Sequence, residues 1–194
     1  MRKLILIRIV HTLADMGSVK DELVEEGIAK IGRKRWGENQ RRIEKFWKGV
    51  GKEIDGLRLD YVRTRLFQDG LPCGGDLGLK IVEETAAKGS HNYQILKKLI
   101  ERGAKLEETE SPELLRKEYE HIKAFLDAPS REEKAQARRR YDEIKDGLIE
   151  ERDLFIAKAI DAGLKDGETG VLFIGAAHNI APKLPMDVKV ISLS

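Results

Sequence analysis

The sequence predicts an α/β protein with a central, mostly parallel sheet of about four to five strands and long helices packed around it. Two stretches and one pattern carry that expectation. Gly170-Val171-Leu172-Phe173-Ile174 and Leu4-Ile5-Leu6-Ile7-Arg8-Ile9-Val10 are near-continuous apolar, β-branched runs, the composition of strands covered on both faces. In the long charged segments between them, apolar residues recur every three or four positions, as amphipathic helices require.

At 194 residues the chain suits one domain, residues 1–194, with a sizeable core. Its 36 Lys+Arg nearly balance 34 Asp+Glu, so no whole-chain field argues for a nucleic-acid or membrane partner. The charged fraction of 36% exceeds the roughly 25% of ordinary globular chains and fits long solvated helices. A single cysteine, Cys73, rules out an intrachain disulfide and points to a reducing, cytoplasmic setting. Arg8 interrupts the apolar run after Met1-Arg2-Lys3 and no small-residue cleavage site follows, so no signal peptide is expected. No apolar run approaches membrane-spanning length.

After the first strand, His11-Thr12-Leu13-Ala14-Asp15-Met16-Gly17-Ser18 reads as a loop ending in an N-cap, Ser18. A helix then spans about Lys20 to Ile31, with Leu23, Val24, Gly27, Ile28 and Ile31 as its stripe. Arg33 to Lys48 carries seven basic residues interleaved with Trp36, Phe46 and Trp47. Such a segment can grip nucleic acid through phosphates and stacked bases. The favoured reading is an amphipathic helix burying Ile43, Phe46, Trp47 and Val50. Leu57 to Phe67 alternates as a third strand, stopped by Gln68-Asp69-Gly70-Leu71-Pro72. Cys73-Gly74-Gly75-Asp76-Leu77-Gly78 opens a helix, without a dinucleotide or Walker pattern.

Ser90 caps a helix from His91 to Arg102, and Ala104 to Glu107 is a short strand. Ser111-Pro112 starts a helix reaching Leu126. Ser130-Arg131-Glu132-Glu133 is a capping box for a long helix ending near Ala162. Its stripe Ile144, Leu148, Phe155, Ala159 keeps step only if Arg152 fills an inward position. A buried, unpaired guanidinium would cost several kcal/mol, so Arg152 must meet carboxylates or an anionic ligand. Pro182 and Pro185 precede Val188 to Leu193, an edge strand.

Chemistry-bearing residues collect at the strand exits: His11 with Asp15, Asp69, Glu108 or Glu110, and His178. In open α/β sheets that edge holds ligand crevices. Histidines with carboxylates suit a divalent metal such as Mn, Zn, Fe or Co, with His11, His178 and Glu110 as expected ligands. Without a metal, the same groups suit general acid–base work. The expected catalytic set is His11, Asp69, Glu110, Arg152 and His178.

Arg152-Asp153-Leu154-Phe155-Ile156-Ala157, the Gly167-Glu168-Thr169-Gly170 turn, and an apolar strand into Gly175-Ala176-Ala177-His178 resemble the C-terminal signature of the TraB/Tiki superfamily. That resemblance covers about the last forty-five residues. It implies an α/β core with a G-x-x-H at two strand exits; at the front, Arg8-Ile9-Val10-His11 keeps the histidine without the glycine. Some of those proteins, the Tiki group, are divalent-metal-dependent proteases. Gln68-Asp69-Gly70-Leu71-Pro72 and Thr109-Glu110-Ser111-Pro112 resemble stretches of a bacterial and archaeal family without an assigned activity.

The leading expectation is a hydrolase-like site, metal-dependent or not, acting on a small anionic molecule or a peptide bond. The alternative is a non-catalytic binding or regulatory module using residues 33–48.

Overall fold

The computed structural model describes residues 1–10, 12 and 20–193. The expected site residues His11 and Asp15 lie outside the described residues.

Strand β1 (Arg2–Ile9) leads to helices α1 (Lys20–Ile31) and α2 (Arg33–Gly56), then β2 (Thr64–Gln68). Helices α3 (Gly75–Ala87) and α4 (His91–Glu101) lead to the short β3 (Lys105–Leu106). Helices α5 (Pro112–Leu126) and α6 (Arg131–Gly163) connect to β4 (Thr169–Gly175), and β5 (Val188–Leu193) ends the sheet. The five strands run in the order β3-β2-β4-β1-β5, every pairing parallel. This is the expected α/β class. Central β4 buries its whole apolar run because β1 and β2 flank it and helices cover both faces.

One face carries Ile5, Ile7 and Ile9 against Trp47, Val50 and Ile54 of α2 and the inward residues of α3 and α4. On the other, Leu4, Leu6, Phe67, Leu172 and Ile174 meet Ile156 and Ile160 of α6. Buried residues of α6 begin only at Leu148. Its amino-terminal half instead pairs with α5 in a hairpin, marked by Tyr141 against Glu118 and His121. The local stop and start signals act as expected. Ser90, Ser111 and Ser130 each accept a backbone N–H in the first turn, and Glu133 completes the capping box.

Two boundaries and one buried face differ from expectation. Helix α2 continues past Lys48 to Gly56, because Val50 and Ile54 extend the stripe of Trp47. The strand expected from Leu57 begins only at Thr64, after a 3₁₀ turn at Tyr61–Arg63. That turn is closed by Asp60, whose carbonyl accepts from both Arg63 N and Thr64 Oγ1. In α1 the expected stripe is only half-buried, and its Gly27 is covered by the ring of Trp36. The basic residues of α2 point outward while Trp47 and Val50 pack inward, as the amphipathic reading requires. Among the described residues, no helix is long and apolar enough to cross a membrane.

Candidate functional site

Helices α2, α3 and α4, which follow β1 and β2, pack on one face of the sheet. The chain leaving β4 places Ile180 on the other face, with α6. Connections from neighbouring strands therefore diverge at the exits of β2 and β4, the position at which open α/β sheets hold ligands. Asp69 leaves β2 at that point and His178 follows β4.

Asp69 is held in the ladder by its own N–H, which donates to Phe173 O at 2.9 Å. Gly70 then turns the chain with φ of 79°. Residues 109 and 110 are sewn to the same turn, since the Thr109 and Glu110 N–H groups both donate to Leu71 O. Glu110, fully buried, is thus delivered beside Asp69 just before the Ser111 cap of α5.

Arg152 enters from α6 with 5% exposure. Its Nη2 donates to Asp69 Oδ1 at 2.7 Å and Glu110 Oε1 at 2.5 Å; Nε reaches Glu110 Oε2 at 3.3 Å and Nη1 reaches Glu118 Oε2 at 2.5 Å. Carboxylates, of the two alternatives open in the sequence, are what meets this guanidinium. Tyr141 donates to the other oxygen of Glu118, at 2.8 Å.

The second half of the site hangs on Asp153, the neighbour of Arg152. Its Oδ1 lies 2.6 Å from His178 Nδ1, and its Oδ2 accepts from Asn179 N–H at 2.8 Å. With Nδ1 engaged, Nε2 is the nitrogen left facing Asp69, 3.5 Å from Oδ2. The glycine of the Gly175-to-His178 turn has a steric reason, because a Cβ there would come within 3.0 Å of Asp69 Oδ2. Its N–H donates to that same oxygen at 2.8 Å.

Burial pushes Asp69 upward, but His178, Arg152 and the Gly175 amide outweigh it and hold its carboxyl below the ordinary value. Burial dominates at Glu110, pushed up to about 7 despite Arg152 and helped by the adjacent Asp69. Two touching carboxyls are thereby driven apart. Burial and Glu118 raise the Tyr141 phenol to about 12.

One ligand atom from each of Asp69, Glu110 and His178 lies within 4.8 Å of the others, and all three residues are buried. Asp69 and Glu110 meet the buried guanidinium of Arg152, while a third buried carboxylate, Asp153, meets His178 and has the partly buried Lys183 at 3.6 Å. Carboxylates beside a buried imidazole suit a divalent cation, and Asp153 behind His178 is the usual outer support of a metal-binding imidazole.

Of the expected residues, Asp69, Glu110, Arg152 and His178 come together, while Glu108 is exposed and stands apart. Asp153 and Glu118 were missed as site residues. Adjacency to the inward Arg152 was the available signal for Asp153; nothing in the sequence singles out Glu118 among the acids of α5. Lys183, also missed, sits 3.6 Å from Asp153 Oδ2 and 2.9 Å from Glu150.

Compared with family models, with curated proteins and with solved structures, the chain matches none.

Proposed function

We propose that the strand-exit cluster is the active site of a hydrolase in which Asp69, Glu110 and His178 hold a divalent cation. The observation that carries this reading is the convergence of those three buried donors within 4.8 Å of one another. A cation of this kind, Mn, Zn, Fe or Co, supplies Lewis acidity and an acidified water. The chain's own residues do the rest. Asp153 fixes His178 with Nε2 inward. Arg152 neutralises part of the charge on Asp69 and Glu110 and holds both carboxylates in place. The substrate class is a small anionic molecule or a peptide bond, in a cytoplasmic setting that suits a lone cysteine. The TraB/Tiki-like run from Arg152 to His178 supports the same assignment.

A second reading, metal-free acid–base hydrolysis, draws on the 2.6 Å Asp153–His178 contact, the geometry of an imidazole steered by a buried carboxylate. Calorimetric titration of chelator-treated protein with Mn²⁺ and Zn²⁺ separates the two. The cation reading expects one site per chain, lost in D69N and in H178A while both variants stay folded. No binding by the wild type sinks it and leaves the acid–base reading.

A further inference from the structure

We infer that Arg8 is the residue through which this site recognises its substrate, by binding an oxyanion group, carboxylate or phosphate, beside the proposed cation. This inference rests on the hydrolase reading above. It starts from register. Arg8 pairs with Ile174 of β4, and Gln68 of β2 pairs with Phe173, a ladder that Asp69 N–H extends by donating to Phe173 O. Arg8, Ile174 and Asp69 therefore form one row across three adjacent strands. Leu4 and Leu6 of β1 and Phe67 of β2 face α6, so by alternation Arg8 and Asp69 leave the sheet on that same face. Two strand spacings, about 10 Å, separate their backbones.

The side chain of Arg8 reaches toward the His178 turn. Its Nη1 donates to Gly175 O at 3.1 Å and to His178 O at 2.7 Å, the first and last carbonyls of that turn. Arg8 is exposed, and among the described residues its Nε and Nη2 donors meet no acceptor and its charge meets no carboxylate. The other strand arginines contrast with it. Arg2 pairs with Asp161 and Asp187, and Arg65 with Glu107 and Glu168. Arg152, the cation nearest the cluster, is saturated by carboxylates. Among the described residues, Arg8 is thus a guanidinium at this edge with an open fork, and a fork of parallel N–H donors matches a carboxylate or phosphate in two-point contact.

Carbonyl anchoring of Nη1 ties that fork to the turn that carries His178, so an oxyanion bound there lies against the same turn.

The test is titration of the full chain with sulfate and with acetate, with and without Mn²⁺, in wild type, R8K and R8Q. Melting temperature confirms that each variant is folded. The expected result is anion binding strengthened by Mn²⁺, weakened about tenfold or more in R8Q, with Mn²⁺ affinity changed less than about threefold. R8K, which keeps the charge and a donor for the turn carbonyls, falls between them because an ammonium lacks the fork. Equal anion affinity in wild type and R8Q overturns the inference, as does no binding of either anion by the wild type up to roughly 50 mM. Absence of Mn²⁺ binding removes the cation reading instead, and the metal-free titrations then decide on Arg8 by the same comparison.

Discussion

Arg2 and Arg152 stand at opposite edges of the same sheet, and both are largely buried arginines that gather carboxylates. Arg2 takes Asp187 in a two-point contact at 2.8 Å and Asp161 at 2.7 Å, tying the start of β1 to the end of α6 and the approach to β5. The side chains of those partners are 53% and 61% exposed. Arg152 takes three carboxylates whose side chains are 6%, 0% and 19% exposed, with Asp153 and His178 packed alongside. Water can solvate the Arg2 cluster if the pair is broken; it cannot readily do so for Arg152. A staple needs only balanced charge at the rim. The carboxylates around Arg152 are buried where those around Arg2 are half-exposed, and that difference in burial is what the proposed cation site rests on.

The largest effect that can break this comparison is loss of the guanidinium itself. R152M leaves Asp69 and Glu110 buried against each other and should destabilise the fold by about 3–5 kcal/mol in denaturant unfolding. A cost near that of the Arg2 change would mean the two clusters are alike.

Acidity gives an intermediate probe. Glu110 sits at about 7 in the folded chain against an ordinary 4.5, so the folded state keeps a proton that the unfolded state has released. Stability from this group is full below pH 4.5 and declines as pH rises toward about 7, then levels. Asp69, held low, works the other way: its contribution is present above its ordinary 3.8 and fades in stronger acid. E110Q should remove the decline between pH 4.5 and 7 in urea melts taken across that range. An unchanged profile would place the proton elsewhere.

The smallest effect is expected at the other edge. R2M should cost roughly 1 kcal/mol, and the cost should shrink in 1 M salt because half-exposed carboxylates are screened. A large, salt-insensitive loss would show that burial of the arginine, not of its partners, sets the energy.

Much of this site was readable before the fold. The missing beat in the α6 stripe forced Arg152 inward and required an opposite charge. Glu110 and Asp69 were marked by turn chemistry next to strand ends, and His178 by the strand before it. The unread parts share a cause. Glu118 sits among many charged neighbours on a solvated helix and Lys183 in a proline-flanked excursion, and only packing decides that they reach inward. Thr64 could not be distinguished from Leu57 as the start of β2, because alternation continues through the 3₁₀ turn.

The sequence by itself determined the class of fold, the helix caps at Ser90, Ser111 and Ser130, and the edge of the sheet where polar residues gather. Those properties depend on apolar periodicity and on hydrogen bonds between near neighbours in the chain. Only the tertiary structure decided that β4 slots between β1 and β2, that Asp153 backs His178, and that Arg8 and Asp69 share a row. Strand order and cross-sheet register are set by how whole faces bury against α2 and α6, and no local pattern encodes them.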